Sequence, residues 1–383
     1  KAEILGEVEM IFDSGFQEIM NDFWKGWEEL SKADGADSLT IRALVHENAV
    51  AFTTTANHIS TQLDNLQFNL NKEMLNKAEE VNKILKDVAD LNHEIKTIEA
   101  YGQHISANDY RDNRNALLDR LSELIPITHY ENRYGEEVVS LYGRDLVNGD
   151  YFNSIDIRLD DKGHGQIHWS DTGEEIDLKG MGELGGYIDA RDKAVVEYRD
   201  RLNILVGEIA KAINIIHEKG TDLEGNLGED FFKIGNPKDV AASIKVNPIL
   251  EDFNKIAVSS SGAKGDGTIA KEILDLRERF LFKEYDVYEF GEDGYLCEQW
   301  NTLEELYNYI EELEENKIGT SSDDFYRDLI LKLGLEGQMS RDIAQNQIML
   351  IKQVDERKRE ISSVSLDEEM ANMVQFQLAY QAS

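Results

Sequence analysis

Apolar residues recur at helical spacing through most of this chain. Ile41, Val45, Phe52, Ile59, Leu63, Leu66 and Leu70 fall at such spacing, with Ser38 placed to cap the start of the run. Neither Gly nor Pro occurs between Gly35 and Gly102, and from Val81 the spacing tightens to a 3–4 alternation: Val81, Ile84, Val88, Leu91, Ile95, Ile98. At a rise of 1.5 Å per residue this predicts one helix of roughly 90 Å, and a heptad seam of that kind asks for a partner helix along its whole length. The same spacing marks Lys1–Phe23 (Ile4, Val8, Ile11, Phe12), Asp109–Ile125 ended by Pro126, Leu184–His217 and Ile269–Leu276. It returns over 323–361, with Leu329, Leu333, Met339, Ile343, Leu350, Val354 and Ile361. Ser365 and Glu368 then read as a capping box that opens a last helix carrying Met370, Met373, Val374 and Tyr380. That last face is expected to pack on the opening run, Ile4 to Phe12.

The period changes between these helices. From Ile127 to Leu178, six glycines (Gly135, Gly143, Gly149, Gly163, Gly165, Gly173) separate the alternating runs Val138–Leu141, Ser154–Leu159 and Gln166–Trp169, which predicts a small antiparallel β module. Residues 279–318 are aromatic and acidic and predict a hairpin followed by a helix. The expected fold class is mainly α with a small β module (α+β): a long-helix rod domain made from N- and C-terminal segments, with an antiparallel β domain inserted. The expected divisions are 1–126 and 321–383 for the two halves of the rod, 127–183 for the β domain, 184–278 for a returning helix plus an irregular segment, and 279–320 for the insert.

Composition narrows the function. The 383 residues carry 76 Asp and Glu against 40 Lys and Arg, a net charge of −36. A phosphate backbone is bound by Lys and Arg that displace counterions, so nucleic acid is disfavoured, and an anionic membrane surface with it. No apolar run reaches the roughly 20 residues that span a bilayer. The single Cys297 excludes an internal disulfide and a Cys-based zinc site, and three prolines suit long helices. The start at Lys1 and the uncapped end read as the core region of a longer protein, and Lys1–Phe23 has neither the apolar stretch nor the cleavage site of a signal peptide.

Candidate chemistry is sparse. Gly180, Gly182 and Gly185 match the dinucleotide glycine pattern, but one long helix follows where a parallel βαβ unit needs a second strand. His46-Glu47 is half of a zinc-protease motif whose second His is replaced by Val50. Asp222 to Gly228 resembles a calcium loop, with Leu227 where the turn glycine belongs and Lys233 where the bidentate Glu belongs. His164 and His168 lack a third ligand, Cys297 lacks a partner His in its region, and Glu311–Glu315 reads as a solvated helix face. No catalytic, cofactor-binding or metal-binding residue is assigned.

The C-terminal stretch from Ser362 to Ser383, through Val364, Ser365, Leu366, Asp367, Glu368, Glu369, Met370, Ala371, Asn372, Met373, Phe376 and Tyr380, strongly resembles the C-terminal motif of bacterial flagellar axial proteins. It is most similar to that of the hook-associated protein 1 family, the first hook–filament junction proteins. Other segments resemble that family in the same order: Asn21–Ser31 with Trp24 and Trp27, Arg111–Leu124, Gly182–Asp192, and Asp222–Asn226 followed by Asp230-Phe231-Phe232. The insert at 279–318 has no counterpart in the resemblance, nor does this chain hold the family's N-terminal helix.

The resemblance implies a non-catalytic structural subunit joining hook to filament, exported through the flagellar type III apparatus to the cell exterior. It implies Leu366, Asp367, Glu368, Glu369, Met370, Met373, Phe376 and Tyr380 as an assembly motif. It also implies hook protein and the second junction protein as partners, self-association in a ring, and an export chaperone binding a further C-terminal segment. The residues of this chain by themselves are expected to be monomeric. Another axial component, flagellin or the second junction protein, and a metal-dependent enzyme lodged in the β module are the alternatives.

Overall fold

The opening apolar run breaks in two. In the computed structural model, which describes residues 1–101, 107–161, 163–283, 290–291, 294–295, 300–362, 370, 373–375 and 377–378, helix α1 (Ala2–Phe12) gives way to α2 (Phe16–Ser31) at Gly15. Its φ of +76° is left-handed, where a side chain is strained. Phe12 and Phe16 lie four apart and are both buried, so the apolar phase runs through the break and conceals it. The stretch without Gly or Pro is one helix, α3 (Leu39–Tyr101), of 63 residues, and Ser38 Oγ accepts the Ile41 N–H at its start.

Helix α4 (Asn108–Leu124) ends before Pro126, and the glycine-punctuated region follows as predicted. Strands β1 (Ile127–Glu131), β2 (Glu137–Leu141), β3 (Arg144–Asn148) and β4 (Tyr151–Phe152) form one antiparallel sheet in that order. Strands β5 (Ile155–Leu159) and β6 (Gly165–Trp169) form a hairpin. Helix α5 (Gly182–Asp189) continues through a π-helical turn, Ala190–Ala194, into α6 (Val195–His217). Short elements follow: β7 (Phe232–Ile234), α7 (Val240–Ser243), β8 (Ile244–Val246) and α8 (Thr268–Asp275). The insert holds β9 (Phe282–Lys283), the hairpin of β10 (Phe290–Gly291) and β11 (Gly294–Tyr295), helix α9 (Leu303–Asn316) and β12 (Gly319–Thr320), and then α10 spans Ser322–Ser362. Among the described residues every strand pair is antiparallel, and the fold is mainly α with small β sheets.

Glu3–Leu333 and Gly334–Ser383 form two compact units. Within the first, α3 threads two hydrophobic cores. Val45, Phe52, Ile59 and Leu63 belong to one, with Trp24 and Trp27 of α2, Leu202 to Ile216 of α6, and Tyr326, Leu329 and Leu333 of α10. Met74, Val81, Leu85 and Val88 belong to the other, with Leu118 and Leu121 of α4 and Val139, Leu141, Val147, Ile155 and Ile167 of the strands. The seam from Val81 therefore has a different partner from the one its heptads call for. The short helix α4 and two β layers cover it, and Leu85, Ala89 and Asn92 are buried beside the 3–4 positions because this cover is wider than a single helix. The insert is part of the first core through Phe282, Trp300, Leu306 and Ile310. Its helix starts at a capping box in which Thr302 Oγ1 accepts the Glu305 N–H and Glu305 reaches back to the Thr302 N–H.

Short strands on a helix leave backbone groups that the helix backbone, already fully paired, cannot take up. Side-chain amides of α3 do so. Asn82 donates to the Ile155 carbonyl and accepts the Ile155 N–H, both at 2.8 Å. Asn92 does the same with Glu137, at 2.9 Å each way, and also reaches the Gly149 carbonyl. Asn71 holds the Gly163 carbonyl and the Gly165 N–H, and Asn214 on α6 pairs both ways with Phe232. Replacing one such amide leaves a half-buried N–H and C=O without partners, so Asn82→Ala is expected to lose about 2 kcal/mol. Exposed Asn69→Ala should change stability by less than about 0.5 kcal/mol. Urea unfolding followed by circular dichroism compares the two, and equal losses would count against the clamp.

Candidate assembly surface

Each of the two units leaves apolar side chains uncovered. In the first unit a groove of about 570 Å³ lies between α1, α2 and the start of α10, lined by Met10, Phe12, Phe16, Tyr326, Ile330 and Leu333 with Glu9 and Asp13 among its polar lining. Its floor is rigid because the aromatic rings interlock: Phe16 stacks on Phe52 at 5.4 Å between centroids and meets Tyr326 at the same distance. The Tyr326 hydroxyl donates to the Phe12 carbonyl at 3.3 Å, and burial, with Asp13 adding to it, pushes that phenol up to about 12. That phenol therefore stays neutral across the ordinary pH range. Met10 is 70% exposed and also lines a second hollow of about 360 Å³ with Ile11 and Leu66.

In the second unit, Met339, Ile343, Leu350 and Val354 lie along α10 and are all more than half exposed. Ile348, Met349, Leu350 and Ile351 are consecutive and all exposed. At 3.6 residues per turn, four in a row cover most of the helix circumference. This one turn of an otherwise polar helix therefore has more apolar surface than a single face can bury. The helical spacing marked Ile343, Leu350 and Val354, but it missed Met10 and Ile348, Met349 and Ile351, whose only signal is an excess of apolar residues over what one face can use.

Of the implied assembly motif, Met370 and Met373 are helical and exposed, while Leu366, Asp367, Glu368, Glu369, Phe376 and Tyr380 lie outside the described residues. The opening helix, which that face was expected to cover, buries Ile4, Val8 and Phe12 within the first unit, where Phe12 meets Tyr198 edge-on at 6.3 Å. Of the segments that resemble a known family, Asn21–Ser31 turns its aromatic face into the core: Phe23, Trp24, Trp27 and Leu30 are at most 1% exposed.

The motifs weighed for chemistry have structural roles. Gly182 is left-handed, and a Cβ there would meet the Leu124 carbonyl oxygen at 2.4 Å, so the glycines let α5 begin against the end of α4. With only antiparallel strand pairs among the described residues, the parallel unit that binds a dinucleotide is not formed. Asp222 spends its carboxylate on its own loop, accepting the N–H groups of Glu224 and Asn226 at 2.8 Å each. His46 packs on Phe253, and His168 Nδ1 lies 3.1 Å from the Gly173 carbonyl oxygen. Cys297 lies outside the described residues. Among the described residues no three of His, Cys, Asp and Glu converge to hold an ion, and no helix is long and apolar enough to cross a membrane.

Residues 5–232 match the sequence model of the flagellar hook-associated protein FlgK helical domain. The chain is 28% identical over 423 aligned positions to flagellar hook-associated protein 1 of Bacillus subtilis, a match spanning 100% of this chain and 76% of that protein. It is 25% identical to the Salmonella typhimurium protein of the same name over 208 positions, 49% of this chain and 37% of that one. The structure of the flagellar hook junction protein FlgK from Burkholderia pseudomallei superposes with a TM-score of 0.53 at 18% identity, over 61% of this chain and 45% of that one. At that identity the likeness concerns the fold.

The surface and the core separate by mutation. Phe16→Ala is expected to cost about 3–5 kcal/mol. Met10→Ala and Ile343→Ala should each stay within about 0.5 kcal/mol, because they remove exposed atoms. Urea midpoints of the three variants check this, and a large loss at Met10 or Ile343 would mean that the isolated chain already covers them.

Proposed function

The chain belongs to the FlgK family of flagellar hook-associated proteins, and from that premise we propose that it is a structural, non-catalytic subunit of the bacterial flagellum that joins hook to filament. It acts outside the cell, after export through the flagellar type III apparatus, in contact with hook protein, the second junction protein and further copies of itself in a ring. An export chaperone serves it before assembly. The observation that carries this reading is the uncovered apolar row of α10, from Met339 to Val354, in a chain whose other described helices bury their seams. A row of this kind is a surface for a partner. In this reading 1–126 and 321–383 supply the rod, 127–183 the outward β domain and 184–278 the returning helix. Residues 279–320 serve the subunit's own stability through Phe282, Trp300 and Ile310.

The test is a strain lacking this gene, complemented with the wild-type chain or with an Ile343→Glu, Leu350→Glu double variant. Two exposed charges leave the first unit's thermal unfolding unchanged, and the variant is expected to be secreted while filaments fail to attach and swimming is lost. Normal motility of the variant would remove the row from assembly. Rescue of swimming by neither protein, with both secreted, would overturn the junction role itself.

A further inference from the structure

The chain leaves α6 at His217 and returns beside it at Ala257. The His217 imidazole is fully buried, with Nδ1 2.6 Å from the Glu229 carbonyl oxygen and Nε2 2.8 Å from the Ala257 backbone nitrogen. A carbonyl only accepts and an amide N–H only donates. The proton therefore sits on Nδ1, and Nε2 presents its lone pair to Ala257. Only the neutral ring satisfies both neighbours. Arg42 of α3, 1% exposed, grips the same returning stretch, donating to the carbonyls of Phe253 and Ile256 as well as to that of Ala36. Phe231 packs edge-on against the imidazole at 5.3 Å, and a Cβ on Gly228 would stand 2.2 Å from the His217 carbonyl oxygen. The departing and returning chains are thus pressed onto the end of α6 with no slack.

We propose that His217 is an acid-released latch: a proton taken up at Nε2 converts the acceptor of the Ala257 N–H into a donor, sets a second buried cation beside Arg42, and frees residues 253–258 from α6. The proton comes from solvent, and no bond other than hydrogen bonds changes. Burial chiefly, and then Arg42, hold the imidazole down to about 4 from 6.5, with the Glu229 carbonyl and Asp230 pulling the other way. A base whose folded value lies below its unfolded value holds its proton more tightly in the open state. The stabilisation is therefore complete above about 6.5 and is lost as pH falls from there toward 4.

Neighbouring charges act in other directions or other ranges. Glu218 is raised by burial and by its hydrogen bond with Asp230, so acid favours the closed state there. Asp222, beside Lys255, is held down because N–H groups of Asn226 and Glu224 and the Asn226 side chain outweigh its desolvation, so its contribution is lost only below the ordinary 3.8. A variant comparison isolates the histidine from both.

Amide hydrogen exchange of the full chain at pH 7.5 and 5.5, corrected for intrinsic rates, reads the opening of the peptide containing Ala257. One proton over this range predicts that its opening constant rises about tenfold in the wild type. His217→Gln can donate to Glu229 and accept from Ala257 without titrating, and its opening should change less than twofold. An equal rise in both proteins overturns the latch. If the variant does not fold, nitrogen NMR of the wild-type ring decides. A midpoint near 4 with the Ala257 amide shift moving in step supports the latch, and titration that leaves that amide unmoved overturns it.

Discussion

A long helix satisfies its own backbone and has nothing left on its main chain to offer a strand. That constraint governs the first unit, because α3 is the element on which the β layers are laid. A strand of five residues placed against it needs partners at its ends and edges, and open edges invite pairing with other chains. Asn71, Asn82 and Asn92 meet this need with amides that donate and accept at once, imitating the missing neighbour strand. Each stands one residue after a seam position: Leu70, Val81 and Leu91. The apolar stripe and the hydrogen-bonding stripe therefore run side by side along one helix. The strands are located by the second and held down by the first.

Charge is organised in the same spirit. The acidic excess is not spread only as a solvated coat, since arginines collect carboxylates from separate elements. Arg120 meets Glu80 at 2.7 Å, Glu123 at 2.7 Å and Glu183 at 3.0 Å, joining α3, α4 and α5. Its guanidinium is raised by those three hydrogen bonds, and Glu80 is lowered chiefly by the same contact. Asp266 shows the reverse arrangement. One carboxylate gathers the hydroxyls of Ser259, Ser261 and Thr268 and the N–H groups of Ser260 and Ser261, and is held well below the ordinary carboxylate range. A loop of small residues is thereby shaped by one side chain.

Much of this was legible in sequence. The limits of α3 follow from Gly35 and Gly102, the β layers from spaced glycines, and the insert from its aromatic alternation. What escaped were features that depend on partners distant in sequence. An asparagine on a helix is ordinary until Ile155 lies against Asn82, 73 residues away. A 3–4 seam cannot tell a facing helix from a facing sheet, because both want the same apolar stripe. The break at Gly15 escaped because Phe12 and Phe16 keep phase across it. On the surface, the resemblance pointed to the C-terminal motif, of which Met370 and Met373 are the exposed members described. The wider row from Met339 to Val354 needed the structure to separate spare apolar residues from core ones.

The uncovered row of α10 sits on a chain with 36 excess negative charges. The row itself does not share that excess: between Met339 and Val354 the charged residues are Arg341, Asp342 and Lys352, two basic against one acidic. Charge acts over only about 8 Å at physiological ionic strength, so what meets the row feels these three and not the charge of the whole chain. The acidic excess therefore keeps the rest of the chain hydrated without closing this face to an apolar or acidic neighbour.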